Sequence, residues 1–300
     1  MRLGIDLGGS HIGIGLVDPH DGKIIKKVEQ DIQANKDMNS YILEYINSNI
    51  YHFTQNYNID FIGIASPGNP NQEELTIYNL VNLGIEKLNL KEISKKYNIR
   101  MQIRNDGKAA GLAEFKYGSL KQYNDAVFLC LGTGIGSAVF LNGKLMQSNR
   151  HIGFEIGHMI IDRNGLECNC GKKGCFETYC SMKRFKDNVN KILNINEISA
   201  KELLEKVKEN LNNSDIIKLI DEYINNLIIG LSNIIDIFEP EAIAIGGSFV
   251  FFKDIFYKKL VDEMNKRKYV FNKENLPHIV LADLKNDAGI IGAVIDWKTI

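Results

Sequence analysis

A strand, a glycine turn and a returning strand occur twice in this chain, and that duplication constrains the fold more than any other feature. Leu3 to Val17 reads L-G-I-D-L-G-G-S-H-I-G-I-G-L-V, with apolar β-formers on both sides of Gly8-Gly9-Ser10. D-P-H-D-G-K-I-I follows, a second turn and a third strand. Ala126 to Leu145 repeats the theme as A-V-F-L-C-L-G-T-G-I-G-S-A-V-F-L-N-G-K-L, with its turn at Gly132-Thr133-Gly134. Gly22-Lys23 in the first copy corresponds to Gly143-Lys144 in the second. The reading is an internal duplication, one hairpin per lobe. At 300 residues the chain has room for two lobes. The expected boundaries are 1–118 for a smaller first lobe, with a terminal helix at 287–300 packing back on it, and 119–286 for the larger lobe.

A glycine turn presents backbone N–H groups and a hydroxyl, which suits a phosphate. Taken alone, each hairpin is equally a plain turn. Two with matching flanks imply a nucleotide gripped in a cleft between the lobes. Asp6, just before the first turn, could hold Mg2+ through water. Ala242 to Ile245 is a third strand running into glycines, Gly246 and Gly247, whose bare backbone would let a base or ribose lie flat.

Between these units the pattern is mixed. Met38 to Asn56 has helical spacing, and Phe61 to Ala65 is a strand ending in S-P-G-N-P. Ser66 and Gly68 lie in that loop, at a strand's C-terminal end where open α/β sheets bind ligands. Asn79 to Leu90 reads as a loop entering a helix that ends at Tyr97. Met101 to Ile103 is a strand, Asn105 and Asp106 stand at its junction with the next helix, and that helix is expected from Lys108. N-D-G by itself is also an ordinary turn. Three helices are expected at Ser181 to Leu193, Ser199 to Asn210 and Ser214 to Phe238, the second with a capping box at Ser199 and Glu202. A last strand is expected at Leu276 to Asp283 and a helix at Asp287 to Trp297.

The densest cluster of chemistry is C-N-C-G-K-K-G-C. Cys168, Cys170 and Cys175 lie on a tight knuckle turned by Gly171 and Gly174. Three thiolates need a fourth ligand to close a tetrahedron, and His158 is the nearest histidine. Buried thiols or a disulfide are the plainer alternatives. Cys130 and Cys180, the other two of five cysteines, read as buried free thiols in a reducing cytoplasm. Glu155 and Glu177 flank the knuckle, and a metal there would fix both at the edge of one cavity.

Composition excludes other classes. A chain that is 44% hydrophobic and 24% charged, with a net charge of -1, carries no nucleic-acid footprint. Its longest uncharged stretch, Ala126 to Leu141, is short for a membrane span and broken by glycines. Glycines and Asp6 interrupt the first apolar run, which argues against a signal peptide.

L-G-I-D-L-G-G-S (3–10), N-D-G-K-A-A (105–110), L-G-T-G-I-G (131–136), E-I-G-H-M (155–159), C-N-C-G-K-K-G-C-F-E (168–177) and D-A-G-I-I-G-A (287–293) together resemble the ROK family, repressors, open reading frames and sugar kinases. The resemblance covers nearly the whole chain. It implies an α/β architecture of the actin-like ATPase (ribonuclease H-like) type, with two lobes around a nucleotide and sugar cleft. It implies structural zinc on His158, Cys168, Cys170 and Cys175. Asn105, Asp106, Glu155, His158 and Glu177 would contact a hexose, with Asp106 as catalytic base. The implied activity is ATP-dependent phosphorylation of a hexose, glucose first, with N-acetylmannosamine and other hexoses as alternatives. The implied assembly is a cytoplasmic homodimer. A repressor of this family would carry a DNA-binding extension before the first strand, and here that strand is expected at Arg2 or Leu3. The chain departs from the family pattern at His11, Gly107-Lys108, Ser137 and Phe154. The last borders the implied sugar site.

Overall fold

The computed structural model describes residues 1–33, 35–148, 153–196, 199–270 and 276–296. The chain divides into two compact units, 1–121 with 145–153 and 284–300, and 122–144 with 154–283.

The first unit begins as the glycine pattern dictates. β1 (Arg2–Leu7), β2 (His11–Val17) and β3 (Ile24–Asp31) form an antiparallel meander. α1 (Met38–Asn56) follows, started by Asp37, whose carboxylate accepts the Ser40 N–H at 3.0 Å. Ile42, Ile46, Ile50 and Phe53 fall on one face at helical spacing and are buried against the sheet. β4 (Phe61–Ser66) then runs parallel to β1.

The stretch expected to be a loop entering a helix is different. β5 (Asn69–Asn71), β6 (Thr76–Leu80) and β7 (Ile85–Asn89) form a small antiparallel sheet, and only then does α2 (Lys91–Tyr97) begin. Asn79 lies at φ 58°, which breaks the alternation that would have marked β6. Ile77, Leu80, Ile85 and Leu88 join the core that α1 covers, so packing selects strands where the pattern was silent. β8 (Arg100–Asn105) pairs in parallel with β4, giving the order β3-β2-β1-β4-β8. α3 (Asp106–Tyr117) starts two residues before the expected Lys108, because Asn105 caps it.

The second unit repeats the scheme. β9 (Ala126–Leu131), β10 (Ile135–Leu141) and β11 (Lys144–Leu145) form the meander. Among the described residues the helices α4 (Phe176–Cys180), α5 (Met182–Leu193), α6 (Ala200–Glu209) and α7 (Ser214–Phe238) follow. Ser199 and Glu202 form the expected capping box on α6. β12 (Ala242–Gly247) pairs in parallel with β9, α8 (Lys253–Lys266) follows, and β13 (His278–Leu281) pairs in parallel with β12. β13 is shorter than the sequence suggested. The order is β11-β10-β9-β12-β13. Between the helices Phe185, Tyr223, Phe249, Phe252 and Phe256 pack ring on ring, with Phe185 edge-on to Phe256 at 5.0 Å and Tyr223 stacked on it at 4.9 Å.

The chain then returns to the first unit as α9 (Ala288–Ala293), which packs on β1, β4 and α3. Asp287 belongs to a preceding 3-10 turn, and Trp297 lies outside the described residues. The approach is too close for side chains. A methyl group on Gly4 or Gly63 would overlap the Ile290 or Ala293 carbonyl, and one on Gly292 would overlap the Ala109 carbonyl. Beyond α9, Arg2 donates to the Val294 carbonyl at 2.7 Å, and Arg100 forks onto Asp296 at 2.6 and 3.0 Å. No helix among the described residues is long and apolar enough to cross a membrane.

Candidate active site and metal cluster

In the first unit three parallel strands end level with one another. Asp6 on β1 stands opposite Ala65 on β4, and Ser66 stands opposite Asn105 on β8. Register alone therefore gathers Asp6, Ser66 and Asn105 at one sheet edge, and α3 adds Asp106 as its first residue. The Asn105 side chain accepts the Lys108 N–H at 3.2 Å, and Asp106 accepts its neighbour Gly107 N–H at 2.8 Å. Both side chains are thereby held by the helix start they cap.

Two carboxylates at one desolvated edge disturb each other. Burial pushes the Asp6 carboxyl up to about 7, and the charge of Asp106 adds to the rise. Burial also raises Asp106, against the pull of the Gly107 N–H and of the Lys108 ammonium. A divalent cation is the kind of partner that would keep both ionised, so the donor set fits one. Gly289 on α9 backs Asp6 so closely that a methyl there would overlap the carboxylate.

The first glycine turn sits beside this edge. Gly8 N–H donates to the His11 carbonyl at 2.8 Å, and Ile32 N–H donates to the Ser10 carbonyl at 2.9 Å. Asn82, in the 3-10 turn joining β6 to β7, lies over Gly9: a methyl on Gly9 would be 2.9 Å from its Cβ. Sequence reading missed Asn82, and only its asparagine-rich loop chemistry hinted at it. Gly68, at φ 84°, lies just beyond β4 with the Tyr78 and Asn79 carbonyls against it.

In the second unit the corresponding edge is nearly bare. Cys130 stands opposite Gly246 and Leu131 opposite Gly247. Gly132 N–H closes the turn onto the Gly134 carbonyl at 2.9 Å, leaving Thr133 at its tip. Glu177, from the first turn of α4, reaches this turn and accepts the Ile135 N–H at 2.8 Å. Glu155 precedes the 3-10 turn Ile156–His158 and is exposed.

The knuckle brings four metal-ligating side chains together. The donor atoms of His158, Cys168, Cys170 and Cys175 all lie within 4.8 Å of one another. Cys168 Sγ is 3.7 Å from His158 Nδ1, and Cys170 Sγ is 3.6 Å from Cys175 Sγ. These match the edge of about 3.8 Å expected for a tetrahedron on zinc–sulfur bonds of ~2.3 Å. The backbone shapes the set: Cys168 N–H donates to the Lys172 carbonyl at 2.8 Å and Gly174 N–H to the Leu166 carbonyl at 2.8 Å. Gly174, at φ 74°, passes so near the Asp162 carbonyl that no other residue fits. Lys172 Nζ donates to the His158 carbonyl at 2.7 Å, tying the histidine turn to the knuckle.

The sequence profile of the ROK family matches residues 2–300. The chain belongs to the ROK family. A glucokinase from Thermotoga maritima is 30% identical over 97% of this chain and 95% of its own length. A xylose repressor from Caldicellulosiruptor bescii is 26% identical over 97% of this chain and 76% of its own. The fold matches that of a ROK family glucokinase from Streptomyces griseus in complex with glucose and AMPPNP, at a TM-score of 0.78 and 21% identity over 97% of both chains. The architecture is thus the actin-like ATPase fold of the ROK sugar kinases.

Two departures from the ROK pattern turn out to be one feature. Ser137, which replaces a glycine of the second turn motif, is buried and donates to the Phe154 carbonyl at 2.8 Å. Phe154, which stands where a small residue is usual, lies at φ 51° directly after Gly153 at φ 67°. A phenylalanine in the left-handed region costs on the order of 1–3 kcal/mol and persists only where its surroundings hold it. The Ser137 hydroxyl is one such hold, next to Glu155. No single-position reading of the sequence pairs the two.

Proposed function

We propose that this ROK protein transfers a phosphoryl group from ATP to a hexose, glucose before others. The observation that carries the proposal is Asp106, a carboxylate fixed at a helix start with its charge desolvated beside Asp6. A sugar hydroxyl is a poor nucleophile until its proton has somewhere to go. Asp106 within hydrogen-bond reach of that oxygen would orient it and take the proton as the new bond to phosphorus forms. Burial raises its basicity, which helps it accept that proton.

The other residues bind and orient. Asn105, Glu155, Glu177, His158, Ser66 and Gly68 would hold the sugar; ionised carboxylates accept, as sugar hydroxyls require. Gly8, Gly9, Ser10, Gly132, Thr133 and Gly134 would offer backbone and hydroxyl donors to the phosphates, and Gly246 and Gly247 bare backbone to the nucleoside. Asp6 would hold Mg2+, which neutralises charge between phosphates when bound. The metal we assign to His158, Cys168, Cys170 and Cys175 is zinc, as a closed, shape-keeping site.

The test is a coupled assay across glucose, mannose, N-acetylglucosamine, N-acetylmannosamine and xylose. Glucose should give the highest kcat/KM. A higher value for another hexose would reassign the acceptor. The similarity to a xylose repressor favours one second reading, sugar sensing without turnover. Calorimetric sugar binding with no phosphoryl transfer to any sugar would select it and sink the kinase.

A further inference from the structure

We infer that Glu177 is a positioning residue for the second glycine turn, and that it fastens this turn to the metal cluster. The inference rests on the kinase reading only for what the turn binds, a nucleotide polyphosphate. The tether itself stands on the geometry of one unit.

The chain of contacts is short. Cys175, a donor of the metal cluster, is the N-cap of α4 and is fully buried. Phe176 N–H donates to the Met159 carbonyl at 2.8 Å, next to His158, so both ends of the cluster meet at the base of α4. One residue on, Glu177 Oε2 accepts the N–H of Ile135, the first residue of β10. The carboxylate fills the space beside Gly134 so fully that a methyl there would overlap it. The histidine side touches the same point, since a methyl on Gly157 would be 2.6 Å from the Ile135 carbonyl. The far side of the turn is held too: Lys183 N–H, in the first turn of α5, donates to the Gly132 carbonyl at 3.1 Å. The turn is therefore pinned at both ends by the segment that follows the cysteines.

A residue serving the sugar alone would not need this arrangement. Glu177 uses one oxygen inward, on the turn. Its other oxygen, Oε1, has no hydrogen-bond partner among the described residues. A sugar hydroxyl donating to Oε1 would pull on the same carboxylate that holds the turn. A charge-assisted hydrogen bond of this kind is also stronger than a neutral one, so its loss should be visible in binding.

Three variants separate the roles. Glu177→Ala removes the tether. Glu177→Gln keeps an oxygen that can accept from Ile135. Glu177→Asp keeps the charge and draws it back by one methylene. Two quantities are read on the full chain with its metal in place: the affinity for Mg2+-ADP without sugar, by calorimetry, and exchange of the Ile135 amide, by NMR. In the Ala and Asp variants Mg2+-ADP should bind roughly tenfold more weakly and the amide exchange roughly tenfold faster, the size of one charge-assisted bond. The Gln variant should stay within about threefold of the parent for both. If Glu177→Ala does not fold, the Gln and Asp pair carries the test. Unchanged amide exchange and unchanged Mg2+-ADP affinity, with sugar binding alone impaired, would overturn the tether. Faster Ile135 exchange in a protein whose parent form binds no Mg2+-ADP would overturn the nucleotide assignment and the kinase reading together.

Discussion

The two five-stranded sheets share one order and differ at one edge. In each, a three-stranded meander lies beside two parallel strands, and a glycine turn joins the first two strands. Asp6 pairs across its hairpin with Gly13, and Cys130 pairs with Gly136, each two residues before the turn. From that shared frame the edges diverge. The first sheet ends in Asp6, Ser66, Asn105 and then Asp106; the second ends in Cys130, Gly246 and Gly247. The first edge concentrates ionisable groups where water is scarce and raises their proton affinity. The second removes side chains and leaves backbone. The same topology thus makes an ionisable edge and a bare one, and the choice lies in about four positions.

If that contrast is right, substitutions at equivalent places should have unequal effects. Asp106→Asn keeps size and most hydrogen bonding but loses the base. Turnover should fall by roughly two to four orders of magnitude with sugar affinity changed far less. Kinetics and calorimetry on one preparation check this, and near-normal turnover would return N-D-G to an ordinary turn.

The knuckle belongs to the second unit only. With the proposed zinc bound there, a chelator should lower the melting temperature and loosen amides near Ile135 before those of β1 and β4. Equal loosening of both sheets would erase the distinction.

In the first unit α9 packs on α3 backbone to backbone, whereas Gly230 of α7 in the second unit packs against the Phe176 ring. Gly292→Ala drives a methyl into the Ala109 carbonyl and should cost about 1–3 kcal/mol of stability or more. Denaturant unfolding measures it.

Proton uptake should also be one-sided. Asp6 titrates near 7 when folded and near 3.8 as a free side chain. The folded state holds the proton more tightly, so this contribution is complete below about 4 and is lost as the pH rises through about 7. Without nucleotide or divalent cation, the melting temperature should fall over that window by on the order of a few degrees, and Asp6→Asn should flatten the fall. A flat profile in the parent protein would mean Asp6 is not desolvated.

The smallest effect should be at the matching position of the other sheet. Cys130→Ser should leave turnover within about twofold and stability within about 1 kcal/mol. A large loss of activity there would break the comparison outright.

Much of this frame was legible in the sequence because it rests on local signals. The glycine turns, the helical spacing of apolar residues in α1, the Ser199 capping box and the cysteine spacing each declare themselves within a few residues. What stayed hidden depends on distant partners. β6 and β7 are strands because α1 covers their apolar residues, and Asn79 in a left-handed conformation masked their alternation. The early start of α3 depends on where the Asn105 side chain turns. Glu177 was legible as a carboxylate beside a knuckle, but its bond to Ile135 spans 42 positions and two motifs. The Ser137 and Phe154 pair was visible only as two separate oddities.

The return of α9 has a consequence for how the protein is made. β1 holds Gly4 and β4 holds Gly63 against a helix that is translated after Asp287. On the ribosome the first-synthesised sheet therefore waits, its glycine face uncovered, while the whole second unit emerges and can close on itself. The unit that is begun first is finished last. Contacts of such long sequence separation form slowly, so the exposed face of β1 and β4 is where a nascent chain would need protection from aggregation.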